Sequence, residues 1–143
     1  MRALFWLVAV VALAWGELEF AQPKPTMDAP RKVVFVMTQG SDEEIQHVLS
    51  SANNVLKFYG PENVQMHIVG YYHGIRGLLA KEKAFVERVD TLMQYDVRFI
   101  ACGNTMRTKK ILESDLIEGV EVVTAGIAHV IERAQEGYVV VKP

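Results

Sequence analysis

Apolar residues in this chain follow two rhythms. Five short runs, residues 32–38, 64–72, 97–101, 120–124 and 138–141, are rich in apolar, β-branched and aromatic side chains. Side chains alternate along a strand, so a nearly unbroken apolar run predicts a strand covered on both faces. Between these runs the apolar positions recur every three or four residues, the spacing of one helix face. The clearest stripe is Ile45, Val48, Leu49, Ala52, Val55, Leu56 and Tyr59. Ser41 with Glu44 predicts a capping box at its start, and Gly60-Pro61 predicts its end. His47 and Asn54 fall off that stripe and are expected at the surface.

A second helix is expected over residues 85–95, burying Phe85, Val89, Leu92 and Met93. A short third one starts near Thr105, with Asn104 or Thr105 as its cap. The last spans residues 127–135 and is expected to bury Ile127, Val130, Ile131 and Ala134, with His129 exposed. Residues 74–79 read as a loop whose Leu78 and Leu79 either cap a pocket or meet another subunit. The alternation of strands and helices predicts an α/β fold, a five-stranded, mostly parallel sheet between helical layers, flavodoxin-like in general architecture. Right-handed crossovers then bring Thr38 to Ser41, His73-Gly74, Cys102 to Thr105 and Thr124 to Gly126 to one rim.

The amino terminus departs from this pattern. Arg2 precedes an uncharged apolar segment, residues 3–15, and Ala14-Trp15-Gly16 offers small residues at the positions a signal peptidase reads. The segment is shorter than the ~20 residues that span a bilayer. Residues 1–16 are therefore read as a signal peptide cleaved after Gly16, with export, in all expectation to the periplasm. Membrane contact is expected only through this segment if it stays uncleaved. Residues 17–31, with Pro23, Pro25 and Pro30, read as an extended tether, and residues 32–143 as the folded domain.

Composition adds one exclusion and one point of interest. A formal net charge of -2 supplies no basic face for nucleic acid. A single cysteine, Cys102, precludes an intrachain disulfide, and in an oxidising compartment a lone thiol is a hazard unless it is protected or used. Cys102 stands at the carboxyl end of an expected strand and before an expected helix. Open α/β sheets bind ligands at that edge, and the N–H groups of a helix start favour a thiolate. Gly103 leaves the sulfur uncrowded. Arg107, Lys109 and Lys110 are read as lying in the first turns, where cations oppose the helix dipole, so a cationic rim around a thiolate or an anionic substrate would explain them. Solvated surface charge is the plain alternative for each.

His73 is expected on the same rim as a base, thiolate partner or oxyanion donor, with Gly74 and Gly126 as positions of close backbone approach. His67, mid-strand and about 20 Å from His73, cannot share a metal with it and reads as a satisfied core histidine. A metal site from Cys102 and His73 alone would need ligands from another subunit; neither a metal nor a cofactor is expected.

With these turns in hand, the chain resembles the DsrE/DsrF-like family of sulfur-relay proteins. The resemblance rests on Asn54-Val55-Leu56, His73-Gly74, Val97 with Phe99, Ala101-Cys102-Gly103-Asn104-Thr105-Met106-Arg107, and an ending in Gln135-Glu136-Gly137-Tyr138 with Lys142-Pro143. It implies a three-layer α/β/α fold with five parallel strands, a homo-oligomer of three or six subunits, and a persulfide on Cys102. Cys102 would accept sulfane sulfur and pass it to a partner thiol or sulfur compound, with a donor or acceptor protein as partner. His73 would shuttle a proton, and Gly103, Asn104, Thr105 and Arg107 would stabilise charge. The alternative is a non-catalytic binding or assembly module with a buried, unreactive Cys102.

Overall fold

A computed structural model describes residues 19–143. The expected signal segment and its cleavage point lie outside the described residues. Five strands, β1 (Arg31–Met37), β2 (Val64–Gly70), β3 (Arg98–Cys102), β4 (Glu121–Val123) and β5 (Val139–Val141), form one sheet in the order β4-β3-β2-β1-β5. Every neighbouring pair is parallel. Parallel neighbours require long crossovers, and these contain α1 (Asp42–Tyr59), α2 (Lys83–Met93), α3 (Gly103–Lys109) and α4 (Gly126–Gln135). No helix among the described residues is long and apolar enough to cross a membrane.

Alternation along the strands sorts side chains to two faces. Phe35, Met37, Met66, Ile68, Phe99 and Ala101 pack with residues of α1, α2 and α3. Val34, Val36, Val69 and Ile100 point the other way, against Val130 of α4. The result is the three-layer α/β/α sandwich that the pattern predicts, but its layers are unequal: among the described residues three helices cover one face and α4 alone covers the other. The predicted limits of α1 hold. The Ser41 hydroxyl accepts the Glu44 N–H at 3.2 Å, and Gly60, at φ 83°, ends the helix.

Four expectations need correction. Residues 74–79 are not a surface loop. Residues 74–78 belong to a 3₁₀ turn, Tyr72–Leu78, that Leu79 caps; Leu78 and Leu79 are buried in the larger core, and Leu79 also backs a surface pocket, one of the two places expected for it. Gly74 explains why the turn can dock there: a Cβ at this position would overlap the Met37 carbonyl, and its N–H donates to Thr38 O at 3.0 Å. The close approach expected of Gly74 is thus to its own chain.

In α4 only Val130 of the expected stripe is buried. Gly126, His129, Val130 and Arg133 form the sheet-facing side, while Ile127 and Ile131 remain 53% and 54% exposed and Ala134 is also exposed. The tether is the third case. Its described part packs against the end of α1, Phe20 stacking on Phe58 at 5.0 Å, and Arg31 donates to Ala21 O at 2.6 Å. Last, α3 begins at Gly103 and ends at Lys109, so Lys109 sits in the final turn and Lys110 is the C-cap. Cations there complement the helix dipole. The apparent violation came from expecting a later start and a longer helix.

His67 is buried, as expected of a core histidine, but its partner is His129, which was expected at the surface. His67 Nδ1 lies 3.0 Å from His129 Nε2 and the rings stack at 5.2 Å. Burial, then Arg98, His129 and Arg133, holds His67 well below its ordinary value, at about 4; burial first of all lowers His129 too. Neutral imidazoles can pair here, one donating and one accepting.

Two predictions follow from the packing. Gly74→Ala should cost about 3 kcal/mol or more, since backbone must move to admit the methyl group; urea unfolding measures it. Between pH 6.5 and about 4 the unfolded chain binds a proton at His67 that the fold refuses. Stability therefore rises with pH through that window and is lost on acidification, by on the order of 3 kcal/mol in total. Unfolding midpoints across this range should show that slope, flattened in His67→Gln.

Candidate functional site

Cys102 closes β3 and is itself the N-cap of α3, at φ -81° and ψ 113°. The expected cap at Asn104 or Thr105 is corrected: both lie inside the helix. Alternation from Ile100 turns the Cys102 side chain toward the α4 face. The first turn of α4 meets it there, because a Cβ on Gly126 would stand only 3.0 Å from Cys102 Cβ and 3.2 Å from Val69. Glycine removes that obstacle and brings the helix start close to the sulfur.

Two effects compete at the thiol. Cys102 is 6% exposed, and burial penalises the charged form, which raises its pKa. Against this act the Gly126 N–H, the Thr105 hydroxyl and N–H, and the Asn104 N–H, and the net shift is downward. The Asn104 contribution is the smallest, and its N–H also serves Thr124 O at 3.0 Å. Thr105 is oriented from outside: its Oγ1 accepts the Tyr72 N–H at 3.0 Å, which leaves the hydroxyl proton for sulfur. Tyr72, at φ 55°, is the left-handed residue where the chain leaves β2 for the 3₁₀ turn.

The expected cationic rim is not what lowers this pKa. The Arg107 guanidinium bonds the Asn104 side-chain oxygen, and no cation is among the leading influences on the thiol. Gly103 is buried at the start of α3, beside the Val123 carbonyl. The structure therefore brings Cys102, Gly103, Asn104, Thr105 and Gly126 together, and leaves Arg107 at the edge of the group.

His73 has other neighbours. Its Nδ1 lies 3.3 Å from Lys109 Nζ and its ring is 3.9 Å from that of Tyr72. Strand β2 ends at Gly70, two residues short of the predicted end, and the turn that follows carries His73 away. The residue that faces the thiol is Tyr71. It is half-buried, and its own pKa is raised by burial and then by the charge on Cys102. The alternation His67, Val69 on β2, continued to Tyr71 just past its end, and Arg98, Ile100, Cys102 on β3 was the signal for this pair. Among the described residues no three His, Cys, Asp or Glu side chains gather where they could hold a metal.

Comparison with known proteins fits this geometry. The model of the DsrE/DsrF-like family matches residues 31–143. No curated protein matches the chain. Among solved structures, the protein of unknown function MTH1491 from Methanobacterium thermoautotrophicum is 29% identical. The match covers 79% of this chain and 99% of that one, with a TM-score of 0.75. The ychN protein from E. coli, 16% identical over 79% of this chain and 99% of that one, shares the fold with a TM-score of 0.66. With the family model spanning the whole sheet and all four helices, this chain belongs to the DsrE/DsrF-like family.

Proposed function

We propose that the protein carries sulfane sulfur on Cys102. The observation that supports this is a thiol shifted toward the thiolate although it is buried, because N–H and O–H donors outweigh desolvation. In the proposed step the Cys102 thiolate attacks the terminal sulfur of a persulfide or polysulfide donor. The donor S–S bond breaks, the rest of the donor leaves as a thiolate, or as the polysulfide shortened by one sulfur, and takes up a proton, and a persulfide forms on Cys102. A partner thiolate then attacks the outer sulfur and returns Cys102 to its starting state. No electrons are gained or lost overall, so neither a redox cofactor nor a metal enters the balance. Asn104, Thr105, Gly103 and Gly126 hold the developing charge, with Tyr71 the nearest titratable neighbour. The partner in each half-reaction is a sulfur-donor or acceptor protein, and export would place the exchange in the periplasm.

A second reading has its own observation. Ile127 and Ile131 leave an apolar strip on α4, and Val139 on edge strand β5 is 62% exposed. Exposed apolar surface of this kind fits subunit contact, and a homo-oligomer of three or six copies would bury it. A purely assembling module would use this surface and leave Cys102 inert.

Incubation of the protein with polysulfide, followed by intact mass, should show a gain of one sulfur atom, abolished in Cys102→Ser and reversed by a thiol reductant. A thiol in the native protein that takes up no sulfur and resists alkylation would refute carriage. Thr105→Val removes one charge-assisted hydrogen bond and should raise the thiol pKa and slow alkylation at neutral pH. Ile131→Asp should convert an oligomer to monomer in light scattering, while an unchanged mass would exclude α4 from the contact.

A further inference from the structure

Across the sheet from the thiol, the carboxyl rim carries a second feature. An open groove of about 680 Å³ lies between Gly40, the Tyr72–Leu78 turn and the end of α3. The half-buried Ile111 supplies its apolar surface, backed by the buried Ile75 and Leu79, and His73, Lys81 and Lys109 form its polar part. None of the donors that lower the Cys102 pKa lines it. Its volume suits a small ligand.

The groove is rigid at its base and positively charged at its edge. Arg76 is clamped there, donating to Gly40 O at 2.8 Å, Asp42 at 2.6 Å and Glu82 at 2.8 Å. One guanidinium against two carboxylates leaves that cluster with a single negative charge. Lys81 and Lys109 form no ion pair among the described residues. Together the two ammonium groups and the Arg76 cluster leave one uncompensated positive charge. His73 adds a ring donor of defined orientation: an ammonium only donates, so the Lys109 contact makes Nδ1 the acceptor and leaves Nε2 to donate. Gly74 docks the His73 turn onto the end of β1, so this donor does not depend on a flexible loop.

A dianion would exceed that charge and face Glu82. A bare inorganic anion would leave the isoleucine and leucine surface unused. We propose that the groove binds a small organic monoanion, a carboxylate on an aliphatic body, with the carboxylate between Lys81, Lys109 and His73 and the body along Ile75, Leu79 and Ile111. This site does not rest on sulfur chemistry at Cys102.

Titration of the protein with acetate, butanoate and hexanoate, followed by the imidazole proton signals, tests it. His73→Gln identifies the signal among the four histidines. Hexanoate should bind at least about tenfold more tightly than acetate, as expected when two of its four additional methylenes leave water. Lys81→Gln and Lys109→Gln should each weaken binding about fivefold or more, and added salt should weaken it further. An acetylated Leu-Glu amide supplies the same chemistry from a protein chain; tighter binding than hexanoate would make a protein segment the source, weaker binding a free acid. Equal affinity for acetate, hexanoate and sulfate, or binding untouched by both lysine variants, would overturn the proposal. Lys81→Gln should still load sulfur from polysulfide. Carboxylate binding with no sulfur loading in the unmodified protein would defeat the sulfur reading alone, and loading without carboxylate binding would defeat the groove alone.

Discussion

The contact between the first turn of α4 and the end of β3 governs this molecule. Among the described residues α4 is the only helix on that face of the sheet, and it does three things along ten residues. Its Gly126 N–H meets the Cys102 sulfur, Val130 fills the small core against Val34, Val36, Val69 and Ile100, and His129 pairs with His67. The environment of the thiol and the integrity of the smaller layer are therefore one packing problem. A displacement of α4 would return water to the sulfur, remove its leading hydrogen-bond donor and unpair a buried histidine together.

The thiol shows how such a site balances. Burial alone would make Cys102 an ordinary inert core cysteine. Hydrogen-bond donors, the Gly126 N–H first among them, outweigh burial and reverse the shift. Two of the strands' neighbours matter indirectly: the Tyr72 N–H fixes the Thr105 hydroxyl, and Tyr71 faces the sulfur. The outer side of α4 stays apolar at Ile127 and Ile131, so the helix that organises the thiol also carries an exposed apolar strip.

The carboxyl rim is divided between the two faces of the sheet. Thiol, Tyr71 and Gly126 belong to the α4 side. His73, Lys109 and Arg76 belong with the larger core, where the 3₁₀ turn is pinned to the end of β1. The division arises because β2 stops at Gly70 and Tyr72 takes a left-handed conformation, which sends the next residues to the opposite side.

Much of the fold was legible from residue pattern alone. Apolar runs marked five strands, of which β1, β2 and β3 are buried as expected while the edge strands β4 and β5 stay largely exposed, Ser41 and Gly60 marked the limits of α1, and the place of Cys102 at a strand end followed from the change of Val97–Ala101 into polar sequence. These are local properties: side-chain period, capping chemistry and backbone preference. Tertiary structure alone decided which side of α4 met the sheet, because its apolar stripe and its sheet-facing stripe differ by one residue and an oligomer can satisfy the former. It also decided the pairing of His67 with His129, residues 62 positions apart. The separation of His73 from Cys102 turned on two residues at the end of β2, and no periodicity resolves a strand end that finely.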